Sequence, residues 1–266
     1  MLWIVQRNLF FDNRRAEWIG ALARVGAEVA LVHVDRGQVV GEPFDEDQPI
    51  LANGSVMLSR IARERGWSPG SFLNDNFSHE AWGLHYAEFS LNRDAVSGAL
   101  GSIAFPGESA FARPVLDDKS FNGAVFSRAE FLALQAACLR GDKGAPKPAT
   151  PVLVASPKKI GQEHRHFVVD GDIVTSSRYK LSGSPNFQEG ADEAVLDLAR
   201  RAISRWTPAR AFVMDTYVAG DEIGIVEIGC IAHAGLYRAD LVKLAHRLDT
   251  MDAGRPAPAR SQRAGP

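Results

Sequence analysis

Asp215 and Glu227 are the residues whose setting first suggests chemistry. Each interrupts an apolar, β-branched run, Phe212 to Val218 around the aspartate and Ile223 to Ile228 around the glutamate. Such runs read as strands, and Gly220-Asp221 between them supplies turn chemistry. A carboxylate inside a buried strand is costly unless it is paired or metal-bound. Two on neighbouring strands are candidates for one oxygen-ligand site, of the kind that holds Mg2+ together with substrate phosphates. The plainer reading puts each on a solvated face or beside an arginine. Register separates the cases. A two-residue loop at Gly220-Asp221 pairs Asp215 with Val226 and turns Glu227 to the opposite face. A three-residue loop, Gly220 to Glu222, or a bulge sets Asp215 against Glu227 on one face.

A second cluster is cationic. The stretch EHRHFVVDGDIVTSSRYK reads as two alternating strands joined by Asp170-Gly171, a strong hairpin signal. Alternation puts Glu163, Arg165 and Phe167 on one face of the first strand, and Arg178 and Lys180 on one face of the second. Three cations and a carboxylate at the hairpin end far from its turn do not suit a core. They suit a polyanionic ligand such as a nucleoside triphosphate. Arg113, in an apolar strand, and Lys119, in the polar loop DDKSFNG, read as solvated cations or as a phosphate clamp. No nucleophile stands out, since Cys230 has no evident base partner. His79 and His85 lack a third ligand at metal spacing and read as helix-surface histidines. Gly54-Ser55, ahead of a helix, offers backbone amides to an anion, but a plain serine N-cap is the favoured reading.

The elements that must position these residues follow from pattern and punctuation. Leu2 to Val5 reads as a buried strand, followed by a helix capped by Asp12 or Asn13 and running to about Val25, with Trp18, Leu22 and Val25 on one face. Glu28 to Val34 is a second strand, so the chain opens β-α-β, a start that favours a parallel sheet. No G-x-G-x-x-G follows the first strand, and a dinucleotide fingerprint is absent. Asp35 to Gln48 reads as a polar loop. A short strand at Pro49 to Ala52 leads into a helix from Val56 to Arg65, and Ser78 caps a further helix carrying Trp82, Tyr86 and Phe89. Strands at Ala110 to Pro114 and Ala124 to Phe126 precede a capping box, Ser127-x-x-Glu130, that opens a helix to Arg140. Val152 to Ala155 is apolar and extended. Residues 181–190, LSGSPNFQEG, read as a flexible loop able to act as a lid. Helices are expected at Ala191 to Ser204 and Arg238 to Leu248, then a Pro/Ala/Arg-rich tail from Ala253.

The 266 residues suffice for one large domain or two small ones. With 45% apolar and 23% charged residues the composition is that of an ordinary soluble protein. A net charge of −2 gives no case for nucleic acid or an anionic membrane. The two cysteines make no disulfide framework, which fits a reducing cytoplasm, and no apolar run approaches membrane-spanning length.

Taken together, FARPVLDDKSFNG, the 163–180 hairpin, and MDTYVAGDEIGIVEIG followed by AGLY resemble the ATP-grasp superfamily over about residues 50–248. The resemblance is to its small bacterial and phage members, in which an arginine replaces the usual first ATP-binding lysine. It implies an N-terminal α/β pre-grasp domain over 1–103, a two-subdomain α+β ATP-grasp domain over 104–250 clasping ATP, and a disordered tail over 251–266. By motif position, Arg113 and Lys119 would contact the ATP phosphates, the backbone of Val154, Ala155 and Ser156 would meet adenine, and Glu163 would approach the ribose or orient Arg165. Arg165, Arg178 and Lys180 would face the phosphates or the acyl substrate, and Asp215 and Glu227 would hold Mg2+. The family pattern Glu-x-Asn is broken here by Gly229, which offers no side-chain oxygen. His233 is a candidate substitute.

The implied activity is an ATP- and Mg2+-dependent carboxylate–amine ligase acting on an amino acid or peptide through an acyl phosphate. The alternatives are a nucleotide-binding module that has lost catalysis and an ATP-grasp kinase. Partners would be small-molecule or peptide carboxylates and amines. Asn74, Asp75 and Trp82 are candidates for the acceptor or acyl pocket. Trp3, Trp67 and Trp82 would supply an exposed apolar patch suited to a homodimer.

Overall fold

The computed structural model describes residues 1–9, 14–115 and 121–251. They form two compact units, Met1–Phe77 with the chain from Ile160 onward, and Ser78–Lys159. The first unit opens with β1 (Leu2–Gln6), α1 (Arg15–Arg24), β2 (Glu28–Asp35), β3 (Gln38–Val40), β4 (Ile50–Asn53), α2 (Val56–Glu64) and β5 (Pro69–Gly70). β1 pairs in parallel with β2 and β4, as the β-α-β pattern requires, in a sheet of order β3-β2-β1-β4-β5. β1 is buried on both faces. Trp3 and Val5 enter one apolar cluster with Trp18 and Leu22 of α1, while Leu2 and Ile4 enter another with Leu58 and Ala62 of α2. Burial of each such large side chain stabilises the fold by about 1.5–3 kcal/mol.

Several expectations are corrected here. The stretch read as a loop between Asp35 and Gln48 contains β3, which closes a tight antiparallel hairpin on β2. Arg14, not an aspartate or asparagine, sits at the N-cap of α1; Asp12 and Asn13 lie outside the described residues. Trp3, Trp67 and Trp82 are 2%, 7% and 2% exposed, so they fill cores and form no surface patch. Ser55 is a plain N-cap, accepting from the Leu58 amide at 3.2 Å. The Gly54 and Ser55 amides are taken by the Ala232 carbonyl and Gln6 Oε1. Glycine is needed at 54 for close approach, because a Cβ would lie 2.6 Å from Gln6 Cβ.

The second unit comprises α3 (His79–Tyr86), β6 (Val96–Ala99), β7 (Ser109–Pro114), β8 (Ala124–Ser127), α4 (Arg128–Arg140) and β9 (Pro151–Ala155), with sheet order β6-β9-β7-β8. The Ser127–Glu130 capping box forms as read, and Gly141 closes α4 in the left-handed region at φ 72°. Phe131 of α4 packs with Ala110, Ala112, Val152 and Val154 of the sheet.

The chain then returns to the first unit through β10 (Gln162–Val169), β11 (Asp172–Leu181), β12 (Ser184–Glu189), α5 (Glu193–Arg205), β13 (Ala211–Ala219), β14 (Glu222–Cys230) and α6 (Leu241–Asp249). These strands make an antiparallel sheet of order β12-β11-β10-β13-β14. Asp170 and Gly171 form the β10–β11 turn with φ of 49° and 89°, the double positive-φ geometry expected of this dipeptide. Residues 181–190 are not a loop, since β12 lies along β11 within them. Phe167, Val169 and Val213 pack on one face with Leu241, Leu244 and Leu248 of α6. α5 lies against β13, burying Val195, Leu198 and Ala202.

Candidate functional site

β13 and β14 leave a two-residue turn with Ala219 paired to Glu222, Val218 to Ile223, Tyr217 to Gly224 and Thr216 to Ile225. Continued regularly, this register would set Asp215 against Val226. The ladder instead shifts, Val226 is passed over, and Asp215 faces Glu227. The short turn and the bulge weighed as alternatives in the sequence therefore occur together, and the bulge brings both carboxylates to one face.

β10 lies on the other side of β13 and pairs Arg165 with Asp215. The guanidinium grips the carboxylate bidentately, Nε to Oδ1 and Nη2 to Oδ2, both at 2.7 Å. Its Nη2 is 3.7 Å from Glu227 Oε1, and its Nη1 donates to the Gly235 carbonyl at 3.3 Å. The sequence reading of Asp215 as metal-bound or arginine-paired thus resolves to an arginine pair beside a second carboxylate. Burial works against the charge on Arg165, but Asp215, with smaller help from Tyr237 and Glu227, holds it protonated well above the ordinary arginine range.

Tyr179 ties this pair to a second. Its hydroxyl lies 2.6 Å from Glu163 Oε2 and 3.2 Å from Asp215 Oδ2, so its one proton goes to Glu163. Glu163 also accepts from Lys180 Nζ at 3.0 Å. Burial first, and then the two carboxylates, raise the Tyr179 pKa far above that of a free phenol, and the hydroxyl stays a donor. The Tyr179 ring stacks on Tyr237 with centroids 4.7 Å apart and planes at 13°. Arg165 Cζ stands 5.0 Å from the Tyr237 centroid. Tyr237 holds a left-handed backbone, φ 43°, and its carbonyl is pinned by Arg14 Nη1 at 2.6 Å.

Sheet register separates Arg178 from this group. Glu163 pairs with Lys180, but His164 pairs with Arg178, with an irregularity between. Simple alternation places Arg178 and Lys180 together; the extra residue, Tyr179, turns Arg178 to the His164 face. There it reaches β12, donating from Nε and Nη2 to Asn186 Oδ1 at 3.1 and 2.7 Å and from Nη2 to Gln188 Oε1 at 2.6 Å. Sequence alternation misses Tyr179 because it points that side chain away from Lys180. Only the bulge reverses that.

In the second unit, Arg113 of β7 pairs with Leu153 of β9, one residue before the buried Val154 and Ala155. Arg113 Nε is buried without a hydrogen-bond partner, as is Nε2 of His79. Ser156 donates its amide to Asp94 Oδ2 at 2.9 Å, and Lys158 Nζ reaches Asp94 Oδ1 at 2.6 Å. Burial alone would raise the Asp94 pKa, but the bonds from Lys158 and Ser156 outweigh it and hold the group well below the carboxylate range. Asp94, missed in the sequence, thus fixes the backbone that follows β9. Lys119 lies outside the described residues. Asn74 and Asp75 serve local structure, Asn74 bonding the Phe72 and Pro208 carbonyls and Asp75 pairing with Arg63.

These donors suit the ligands the sequence implied. The unpartnered guanidinium nitrogen of Arg113 is what a phosphate oxygen would satisfy. Asp215 and Glu227 offer hard oxygen ligands on one face, and among the described residues no group of three or more His, Cys, Asp or Glu could hold a metal. Two carboxylates completed by phosphates and waters is the pattern Mg2+ accepts.

A search of solved structures returns the same fold. D-cycloserine synthetase DcsG superposes with a TM-score of 0.59 at 12% identity, covering 94% of this chain and 99% of that one. A RimK domain ATP-grasp protein from Sphaerobacter thermophilus gives 0.58 at 17% identity, covering 94% and 98%. D-alanine–D-alanine ligase from Bacillus anthracis complexed with ATP gives 0.59 at 11% identity, covering 90% and 88%. No curated protein matches in sequence. The fold is thus that of the ATP-grasp proteins. More narrowly, the family model for the ATP-grasp domain of the arginine-for-lysine clade, family 3, matches residues 25–248, and the chain belongs to that family. It is accordingly an ATP-dependent enzyme of the carboxylate–amine ligase class, with ATP and Mg2+ as cofactors. No helix among the described residues is long and apolar enough to cross a membrane.

Proposed function

We propose that the protein joins the carboxylate of an amino acid or peptide to an amine through an acyl phosphate. Support comes from one observation above the others: Arg165, its charge held by Asp215, stands on the same sheet face as Glu227, Glu163 and Lys180. Bound Mg·ATP supplies the phosphoryl group, the carboxylate oxygen displaces ADP at the γ-phosphorus, and the amine then displaces phosphate from the acyl carbon. The protein's part is to place fixed positive charge where charge develops on the transferring group. Asp215 and Glu227 would hold Mg2+. Arg165 and Lys180 would steady the phosphoryl oxygens or the acyl group, their positions set by Asp215, Glu163 and Tyr179. Arg113 would take an ATP phosphate, with Lys119 as a second cation, and the Val154–Ser156 backbone would meet adenine. Arg178 would act at one remove, by holding β12.

Ligand binding by solved relatives of the fold agrees with this chemistry. The PsnB ligase is complexed with a precursor peptide, Mg and ADP, at 14% identity and a TM-score of 0.54. The competing reading, a nucleotide binder without turnover, rests on Gly229. Calorimetry with ATP, with and without Mg2+, on wild type and Glu227→Gln separates the two when combined with hydroxylamine trapping. Mg2+-dependent ATP binding and hydroxamate formation from a carboxylate support the ligase. ATP binding that ignores both Mg2+ and Glu227 would leave the binder.

A further inference from the structure

Phe187 is out of keeping with its strand. β12 reads Ser-Pro-Asn-Phe-Gln-Glu, an edge strand of polar residues, and Phe187 is 54% exposed in its midst. An exposed phenylalanine contributes little to a core, yet this one is firmly placed. Its ring stacks on Tyr237, centroids 5.6 Å apart and planes at 16°. Tyr237 in turn stacks on the buried Tyr179. The three near-parallel rings form a ladder with the Arg165–Asp215 pair at its inner end and Phe187 at its open end. From the opposite face of β12, Arg178 clamps both neighbours of Phe187, Asn186 and Gln188, so the presentation of the ring is built rather than incidental.

We infer that Phe187 is a specificity-determining residue, and that the substrate carboxylate belongs to an amino acid or peptide whose aromatic side chain continues this ladder. Two features of the site point to that occupant. The rings run directly from the cations that would meet the carboxylate, within the span of one amino acid. Parallel stacking also rewards a planar group, which gains edge and face contacts that an aliphatic chain does not. Arg178 is then a positioning residue that acts through Asn186 and Gln188. The inference rests on the ligase reading of the same site.

The test uses the full chain with Mg·ATP and hydroxylamine, comparing phenylalanine, tyrosine and tryptophan with alanine and serine. Wild type is expected to favour the aromatic acids by about tenfold or more in kcat/KM. Phe187→Ala should shrink that ratio about tenfold and Phe187→Tyr should keep it. Arg178→Ala should shrink it partway. Equal rates for aromatic and small acids in wild type, or an equal fall for both in Phe187→Ala, would overturn the inference. An aromatic preference that survives Phe187→Ala while a dimer becomes a monomer would also overturn it, making the ring a contact between copies. Hydroxamate from no acid at all would count against the ligase reading instead. Saturation-transfer NMR with phenylalanine then decides the platform by itself: transfer in wild type that is lost in Phe187→Ala upholds it, and no transfer in wild type overturns it.

Discussion

Arg165 and Asp215 are held to one another by two parallel hydrogen bonds of 2.7 Å, with side chains 9% and 2% exposed. The pair is both structural and chemical, since the same fork that neutralises a buried carboxylate presents the remaining guanidinium edge beside Glu227. Removing one partner strands the other. Arg165→Ala should cost about 3–5 kcal/mol in urea denaturation. Replacing both, as Arg165→Met with Asp215→Leu, should recover most of that stability while ADP release stays lost. A single variant costing under about 1 kcal/mol would mean that the carboxylate is not dependent on its partner.

Glu227 makes the opposite case. Its side chain is 48% exposed and lies 3.7 Å from Arg165, so little folding energy hangs on it. Glu227→Gln should shift stability by no more than about 0.5 kcal/mol. The Mg2+ concentration for half-maximal ADP release should rise about tenfold or more. An unchanged Mg2+ requirement would remove Glu227 from the metal site.

Gly229 shares the Glu227 face of β14, and a Cβ there would meet Val213 Cγ2 at 3.3 Å. Gly229→Asn should therefore fold with a loss of about 1 kcal/mol as Val213 yields. The added carboxamide oxygen should lower the Mg2+ requirement for ADP release, and a Mg2+ titration of the variant measures it. A raised requirement would show that the site is shaped to do without that ligand.

Behind the site, His166 is wholly buried between Ser176 Oγ at 2.8 Å and Thr216 Oγ1 at 2.9 Å. Burial, and secondarily His164, push its pKa down to about 3. A free histidine titrates near 6.5. Between those values the unfolded chain binds a proton that the folded one refuses. This contribution is therefore complete above about pH 6.5 and is lost at about 1.4 kcal/mol per unit as pH falls towards 3. Unfolding free energies at pH 7, 6 and 5 should show that slope. Its persistence in His166→Gln would assign it to other groups.

Much of this is legible in the sequence because it depends on local pattern. The Asp170-Gly171 hairpin, the parallel β1–β2 pair and the Ser127–Glu130 box each follow from residues close in the chain. What escapes depends on counting across strands. Alternation groups Arg178 with Lys180 because its period is two, and a single extra residue at Tyr179 inverts it. β12 reads as a loop because its Gly, Ser, Pro and Asn are turn formers. The edge position tolerates them, with Pro185 needing no ladder partner for a missing amide. The apolar tryptophans read as surface because spacing carries no information about which side an opposing element covers.

The bulge at Val226 has a consequence for how the β13–β14 hairpin keeps time. Counting from the tip, a two-residue turn with one skipped residue and a three-residue turn with none arrive at the same partner for Asp215. One sequence therefore has two near-turn alignments that agree beyond residue 227 and differ only between the tip and the bulge. The Tyr217 to Glu222 hydrogen bond of 2.8 Å and the complete burial of Ile225 select the first alignment. A slip to the second would flip residues 222–226 and leave the carboxylate pair standing. The hairpin tip is thus a vernier set apart from the chemistry, free to vary in phase without detuning the site.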